Sequence, residues 1–277
     1  MKKIIVPVDF SKHSEYALEV AAQLAKKYDA EIVTVHMMGL NQSVLTKDDS
    51  QEVFEAMYHM KLAKKQFDEF LDRDYLKGIK VHSTVQNYKI FEELDKVAEE
   101  FGADLIIMGS HGTTGIREVF VGSNTEKVVR TSHVPVLVIK NRVIDFSVEK
   151  MVFACDFSME FIPAFQKARE LAAMFNSTLQ LVYINTPDRF MRTSEMEARA
   201  FKFLADAGGD AMDFYERIKY YSDTTVEDGI FTFSNSYNAN AIAIPTHGRR
   251  GLAHFFTGSI GEEMVNHSDI PVITFKI

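Results

Sequence analysis

Gly109-Ser-His-Gly112 is followed, after nine residues, by Gly122-Ser123, and this glycine pattern guides the interpretation of the whole chain. It returns with one change as Pro245-Thr-His-Gly248 and, again after nine residues, Gly258-Ser259. Each copy follows an apolar run and precedes an amphipathic segment. A strand, a glycine-lined turn and a helix start together present free backbone N–H groups to a phosphate. The pattern therefore predicts a nucleotide-binding unit that is present twice, once intact and once altered.

The repeat extends well beyond the glycines. When Ser110–Lys140 is set against Thr246–Lys276 without gaps, twelve of 31 positions are identical, namely His111, Gly112, Gly115, Phe120, Gly122, Ser123, Glu126, Val129, Ser132, Pro135, Val136 and Lys140. The earlier segment Val8-Asp-Phe-Ser11 likewise matches Cys155-Asp-Phe-Ser158. A period of this length indicates duplicated domains rather than a solenoid. We therefore expect one domain over residues 1–143 and a second over 147–277.

Strands and helices are predicted to alternate within the first copy. The apolar and amphipathic periodicities predict strands at 3–9, 31–38, 80–85, 104–109 and 134–140 and helices at 12–27, 50–75, 90–101 and 123–131, with Ser11 as an N-cap. The long second helix is expected to pack one apolar face, comprising Val53, Met57, Met60, Ala63, Phe67, Phe70 and Leu71. Such alternation indicates an α/β fold with two tandem, doubly wound, five-stranded parallel sheets. Ligands bind such sheets beyond the carboxyl ends of the strands, so Val8–Ser11 and Gly109–Gly112 should flank one crevice.

Composition narrows the class of protein. A net charge of −8 argues against nucleic acid as the main partner, because phosphate neutralisation needs clustered Lys and Arg. The single cysteine, Cys155, excludes an internal disulfide and agrees with a reducing compartment. The first residues lack the features of a signal peptide, and no apolar stretch reaches the roughly 18–20 residues of a membrane span. We expect a cytoplasmic protein with no membrane partner.

The glycine loop has a chemical interpretation and a purely structural one. Gly122-Ser123 precedes a helix whose free N–H groups and positive dipole end favour an anion, and the hydroxyls of Ser123 and Thr125 add potential donors. A glycine-rich connection without a ligand is the alternative. Asp9 has two interpretations as well, since its carboxylate could accept from ribose hydroxyls or cap the following helix.

At these residues the chain resembles the universal stress protein family. The ATP-binding members of that family carry G-x-x-G, nine residues, and G-S or G-T, which are matched here by Gly109, Gly112, Gly122 and Ser123. The opening Pro7-Val-Asp-Phe-Ser11 and the closing Ser132–Lys140 are also similar to that family. The resemblance covers nearly the whole chain and implies a tandem protein with a Rossmann-like, adenine nucleotide alpha-hydrolase-like fold.

The resemblance further implies a ligand, ATP with Mg²⁺, and a set of binding residues. Adenine would lie near Pro7, Val8, Asp9 and Met37, the residue after His36. Ribose and phosphates would lie against Met108, Gly109, Gly112, Gly122, Ser123, Asn124 and Thr125. Family members often dimerise through the fifth strand, which here would pair Val136–Lys140 with Val272–Lys276 as an intramolecular pseudo-dimer. A further homodimer is left open, and no protein partner is identified.

The second copy departs from the pattern at Pro245, which replaces the first glycine. Proline has no N–H, and the loss of one hydrogen bond to a charged ligand costs roughly 1.5–3 kcal/mol, or about 10- to 150-fold in affinity. Because Gly248, Gly258 and Ser259 remain, nucleotide binding by this copy stays open.

Several functions fit these observations. The first is a stress-response regulatory protein that binds ATP with little or no hydrolysis. The alternatives are a slow ATPase and a nucleotide-free interaction scaffold. The sequence lacks a G-x-x-x-x-G-K-[ST] loop and an evident base to orient water, which phosphoryl transfer requires, so no catalytic residue and no metal-ligating residue is assigned. A dinucleotide dehydrogenase is disfavoured because its glycine fingerprint belongs at the first turn.

Overall fold

The computed structural model describes residues 1–37, 50–86, 94–110, 123–246 and 270–277 of the chain. The chain divides into two compact units, Met1–Phe146 and Ser147–Ile277. Gly112 and Gly122 of the first glycine pattern, and Gly248, Gly258 and Ser259 of the second, lie outside the described residues. Within the described ranges, no helix combines the length and the apolar composition that crossing a bilayer requires.

The first unit alternates strands and helices in the predicted order. Its elements are β1 Lys3–Pro7, α1 Lys12–Tyr28, β2 Glu31–Met37, α2 Ser50–Leu71, β3 Val81–Gln86, α3 Leu94–Phe101, β4 Leu105–Gly109, α4 Ser123–Thr131 and β5 Val136–Ile139. A 3-10 helix, Asp74–Leu76, follows α2. The strands pair in the order β3-β2-β1-β4-β5, and every pair is parallel. The predicted α/β class is therefore confirmed for this unit.

Local sequence explains where α1 begins and ends. The Ser11 side chain accepts a hydrogen bond from the Ser14 amide, as expected for an N-cap. Asp29 ends the helix in the left-handed conformation, and its amide bonds to the carbonyl of Ala25. The apolar stripe between these caps is buried, as at Leu18 and Ala21. The predicted start of α1 at Ser11 is confirmed.

The prediction for α2 was partly wrong. The helix ends at Leu71 rather than at Tyr75, and Arg73 is extended. The Arg73 guanidinium donates to the carbonyl of Glu69 at 3.1 Å, which satisfies a terminal carbonyl and ends the helix. Met57 and Met60 are exposed, at 64% and 45%, whereas three residues of the predicted face are buried, namely Ala63, Phe67 and Phe70. Side-chain burial confirms the predicted face only in the second half of the helix.

The second unit repeats this plan. Its elements are β6 Lys150–Ala154, α5 Ile162–Phe175, β7 Thr178–Asn185, α6 Thr193–Ala207, β8 Lys219–Ser222, α7 Val226–Tyr237, β9 Ala241–Thr246 and β10 Val272–Lys276. The 3-10 helices are Met159–Phe161, Pro187–Arg189 and Ala211–Arg217. The strand order is β8-β7-β6-β9-β10, again with every pair parallel. Side chains of β6 and β9 such as Phe153 and Ile242 are fully buried and form the core of this unit.

Candidate functional site

The first unit has a topological switch point between β1 and β4. The chain proceeds from β1 to β2 on one side of the sheet, whereas β4 and β5 lie on the other side. The register pairs Ile5 with Ile106, so the residues that follow β1 and the end of β4 lie at the same edge. Open parallel sheets bind ligands in the crevice at this position. The structure thus brings the Asp9 segment and Gly109 to one edge.

The turn after β1 is built from Asp9, Phe10 and Ser11. Asp9 Oδ1 accepts a hydrogen bond from the Ser11 amide at 3.1 Å. Phe10 has φ of 64°, a left-handed conformation that is unusual for an aromatic residue. Its ring packs against His36 at 4.6 Å and against Phe67 at 5.2 Å between centroids. Since Ser11 caps α1, Asp9 is not the cap, and its carboxylate instead organises the turn at the crevice.

His36 fixes the backbone on the adenine side of the predicted site. Its Nδ1 donates to the Val8 carbonyl at 2.8 Å, and the Val8 amide donates to Val35 at 2.8 Å. Both backbone polar groups of Val8 are therefore occupied by the protein. Pro7 and Val8 are buried, while Met37 is half-buried. The sequence identified His36 only as a landmark before Met37, and its bond to Val8 became visible only in the structure.

Gly109 has a packing role in addition to its predicted role in ligand approach. A Cβ atom built on Gly109 would lie 2.7 Å from the backbone carbon and oxygen of His13, in the first turn of α1. Contacts that short do not occur between real atoms without a shift of the backbone. Glycine is therefore needed at the end of β4 simply for α1 to pack across it. Met108, the preceding residue, is buried.

The first turn of α4 is attached to the end of β4. The hydroxyl of Thr125 donates to the Gly109 carbonyl at 2.8 Å, and Thr125 is only 3% exposed. Asn124 is exposed beside it, and Ser123 begins the helix, as predicted. The amides of this turn and the positive end of the helix dipole favour an anion. Because the Thr125 proton is already donated, the residue positions the helix rather than offering a donor to phosphate.

The second unit keeps the turn but changes its surroundings. Asp156 Oδ1 accepts from the Ser158 amide at 2.8 Å, and Phe157 has φ of 56°, as in the first unit. However, Arg199 lies 3.4 Å from the Asp156 carboxylate and donates to the Ser158 hydroxyl at 2.5 Å. Ser158 therefore does not cap a helix, and α5 begins only at Ile162, after the 3-10 turn.

Pro245 of the second unit lies at the end of β9, in the place of Gly109. The first-unit helix start would clash with a side chain at this position, and the second-unit helix begins later along the chain. The two differences agree with each other: where the glycine is absent, a 3-10 turn replaces the first helical turn.

The position of His36 also differs in the second unit. Tyr183 occupies it, and burial raises the pKa of the Tyr183 phenol.

A cluster of Asp95, Glu99 and His133 forms at the opposite edge of the first unit, before β5. One potential ligand atom from each lies within 4.8 Å of the others. Asp95 already accepts from the His133 amide and from His133 Nδ1, both at 2.6 Å. Although burial alone would raise it, these hydrogen bonds and one from Ser132 lower the pKa of Asp95. The sequence did not reveal this cluster because His133 lies more than 30 residues along the chain from Asp95 and Glu99 of α3.

Parallel strand order, alternating helices and a topological switch point define each unit as a Rossmann-like α/β domain. The family model described as "Universal stress protein family" matches residues 1–140 and again residues 147–276. The chain therefore belongs to the universal stress protein family and contains two copies of its domain.

Individual relatives agree with this assignment. A universal stress protein of Methanocaldococcus jannaschii is 33% identical over 146 residues, which cover 50% of this chain and 82% of that protein. A second one from the same organism is 32% identical over 162 residues and is covered to 96%. The crystal structure of a universal stress protein from Archaeoglobus fulgidus matches 99% of this chain and 96% of its own, with a TM-score of 0.66 at 19% identity. That last likeness concerns the fold.

Proposed function

We propose that the first unit binds ATP together with Mg²⁺ in the crevice between β1 and β4, and that the protein acts as a stress-response regulator with little or no hydrolysis. The observation that carries this proposal is the shared edge of the Asp9 turn and the Gly109–α4 junction. One side supplies a carboxylate, and the other supplies a helix start with free amides. A ribose with attached phosphates has the complementary groups.

The proposal gives each predicted residue a role, and contacts within the described part of the chain support several of these roles. Pro7, Val8 and Met37 form the adenine side, where His36 holds the backbone. Asp9 accepts from ribose hydroxyls while its Oδ1 keeps the turn. Met108, Gly109, Ser123 and Asn124 face ribose and phosphates together with the glycines Gly112 and Gly122, and Thr125 holds α4 in place.

We expect slow or absent ATP hydrolysis because the chain offers few groups that could catalyse phosphoryl transfer. The chain has no Walker-type lysine loop, and of the two oxygens of the Asp9 carboxylate one holds the turn and the other is assigned to ribose, which leaves neither to orient a water molecule. Phosphoryl transfer depends on a positioned nucleophile and on charge stabilisation. We therefore expect a long-lived ATP-bound state. In the proposed function, this state changes the affinity of the protein for a partner. A slow ATPase remains the second candidate.

Calorimetric titration of the full chain with Mg-ATP tests the proposal. We expect a stoichiometry near one. Asp9→Asn keeps an oxygen that can accept from Ser11 but removes the charge, so ATP affinity should fall about tenfold. Asp156→Asn is the matched control because it makes the same change in the repeated turn, and it should leave the affinity unchanged. Cyclic AMP, the ligand in the crystal structure of one universal stress protein, is titrated in parallel.

The outcomes separate the candidate functions. If titration with millimolar Mg-ATP produced no heat, the remaining candidate function would be a nucleotide-free interaction scaffold. Equal losses in both variants would contradict the assignment to the first unit. Steady phosphate release that Asp9→Asn abolishes would favour the ATPase.

A further inference from the structure

The second unit contains a cavity of about 100 Å³ at the carboxyl ends of β6, β7 and β9. Its wall is largely apolar and is formed by Ala154, Phe161, Ile184, Val226, Ile230 and Pro245. The polar residues that line it within the described part of the chain are Cys155, Asp156 and Arg189. Apolar cavities of about 150 Å³ in proteins hold a benzene ring. This cavity is smaller than that, so its size and lining suit a short branched chain, or part of a single ring whose polar end stays at the rim.

This cavity lies where the first unit has its nucleotide crevice, but the groups suited to a nucleotide have changed. Pro245 offers no N–H to a phosphate. Asp156, the counterpart of Asp9, is engaged on one carboxylate oxygen by Ser158 and on the other by Arg199. The guanidinium also neutralises the charge that would attract ribose hydroxyls or Mg²⁺. Among the described residues, the second unit thus keeps an apolar wall, and the two counterparts of the first unit's polar groups, Pro245 and Asp156, are not available to a nucleotide.

Arg189 gives the cavity an anion-binding group. It ends the 3-10 helix Pro187–Arg189, which begins two residues after β7, and its side chain is exposed while lining the cavity. Within the described part of the chain, its guanidinium makes no ion pair with a carboxylate. Because Asp156 is already paired to Arg199, Arg189 is the charged group of the described cavity lining that is available to a ligand. A guanidinium binds a carboxylate through two parallel hydrogen bonds.

We propose that this cavity binds a small monocarboxylate with a branched or cyclic apolar group, for which benzoate is about the upper limit of size. The ring or branched chain occupies the apolar wall between Ile184 and Ile230, and the carboxylate pairs with Arg189 at the rim. The second unit then senses a ligand class different from that of the first, and the proposal does not depend on nucleotide binding by the first unit.

Cys155 provides a direct readout because it lines the cavity and is the single cysteine of the chain. The full chain is alkylated with iodoacetamide, and the rate is followed by intact-mass spectrometry. Since burial raises the pKa of the Cys155 thiol, the reaction is run at about pH 9 to obtain a usable rate. Benzoate is the probe, and benzyl alcohol, which has the ring without the charge, is the comparison ligand.

We expect benzoate to slow alkylation of Cys155 in a saturable manner and benzyl alcohol to do so about tenfold less effectively. Arg189→Gln should remove this difference between the two ligands. Lys202→Gln, which removes a positive charge from an exposed position of α6, is the matched control and should behave as the wild type. Val226→Phe should abolish protection by both ligands because the larger ring fills the cavity. Val226 is half-buried, and urea unfolding of this variant verifies its fold.

Three results would overturn the proposal. The first is alkylation that benzoate does not slow at any concentration up to its solubility. The second is unchanged protection in Arg189→Gln and Val226→Phe. The third is protection of Cys155 by Mg-ATP in place of benzoate, which would make the second unit a nucleotide site.

Discussion

At the scale of single residues, Gly109 combines two constraints. The His13 backbone excludes a side chain at this position, and the predicted nucleotide approaches the same peptide. Gly109→Ala should therefore lower the free energy of unfolding of the first unit by about 1–3 kcal/mol, as overpacking does, and weaken ATP binding as α1 shifts. Urea unfolding and calorimetry measure the two effects.

Gly102→Ala is the control for that substitution. Gly102 has φ of 62° and open space around its Cβ position, so alanine there meets conformational strain but no clash. It lies at the amino end of β4, away from the crevice. Stability should fall by about 1 kcal/mol, and ATP affinity should not change. An equal loss of ATP affinity in both variants would show that general destabilisation, rather than the contact with His13, is responsible.

At the scale of secondary-structure elements, the two copies of the Asp-Phe-Ser turn start their helices differently. The Ser11 hydroxyl caps α1, whereas the Ser158 hydroxyl accepts from Arg199. Ser11→Ala should cost about 1 kcal/mol and expose the Ser14 amide to faster hydrogen exchange. Ser158→Ala should leave exchange in α5 unchanged, because that helix begins at Ile162. Hydrogen-exchange mass spectrometry of the full chain distinguishes the two, and faster exchange at both helix starts would contradict this account.

A second prediction at this scale concerns the contact between α3 and the segment after α4. The hydrogen bonds from His133 and Ser132 lower the pKa of Asp95. A carboxyl group with a lowered folded-state pKa stabilises the fold above its unfolded pKa of about 3.9, and this contribution is lost as the pH falls through the folded-state pKa. Asp95→Asn should therefore destabilise the protein by about 1 kcal/mol at pH 7, and the difference from wild type should shrink towards about pH 3.

Urea unfolding of wild type and Asp95→Asn across this pH range provides the measurement. Glu126→Gln removes the acidic partner of a partly exposed i,i+4 pair with Arg130, and such a pair contributes only a few tenths of a kcal/mol. It serves as the control, with little change at any pH. A constant difference for Asp95→Asn from pH 7 to pH 3 would refute the linkage.

At the scale of the whole molecule, the chain contains two domains of one family, which differ at the end of the fourth strand, where Gly109 of the first corresponds to Pro245 of the second. If the proposed function is correct, saturating Mg-ATP at 100 times its Kd should stabilise the first unit by about 2.7 kcal/mol. Hydrogen exchange should slow around Pro7–Ser11 and Ser123–Thr125, while Ala154–Ser158 and Ala241–Thr246 keep their rates. Slower exchange in both units would show that the second unit responds as well.

Much of this architecture was predictable because its signals are local. Apolar runs, caps and helix stops lie within a few residues of the elements they define. For this reason the bounds of α4 and the cap at Ser11 agreed with the sequence. The end of α2 did not, because Arg73 turns back to the carbonyl of Glu69 and to the carboxylate of Glu15 in another helix.

The sequence predicts that Asp9 and Gly109 lie at one edge of the sheet. It does not predict the side-chain contacts at that edge. Strand polarity places Asp9 and Gly109 at one edge whatever the side chains do. The contact of Gly109 with His13 and the pairing of Asp156 with Arg199 join residues from elements far apart along the chain. Helical periodicity likewise indicates an apolar face but does not reveal what covers it, which is why the exposure of Met57 was not foreseen.

The left-handed phenylalanines, Phe10 and Phe157, have a consequence for how the duplicated gene product diverged. A glycine would relax either backbone by roughly 1 kcal/mol, yet it would forfeit an aromatic anchor to Phe67 or Phe203. Each domain has this left-handed phenylalanine, although the residues around the turn differ, as Arg199 at Asp156 shows. Both copies of the turn therefore share one backbone conformation and one aromatic contact. This contact packs each domain, whatever ligand that domain binds.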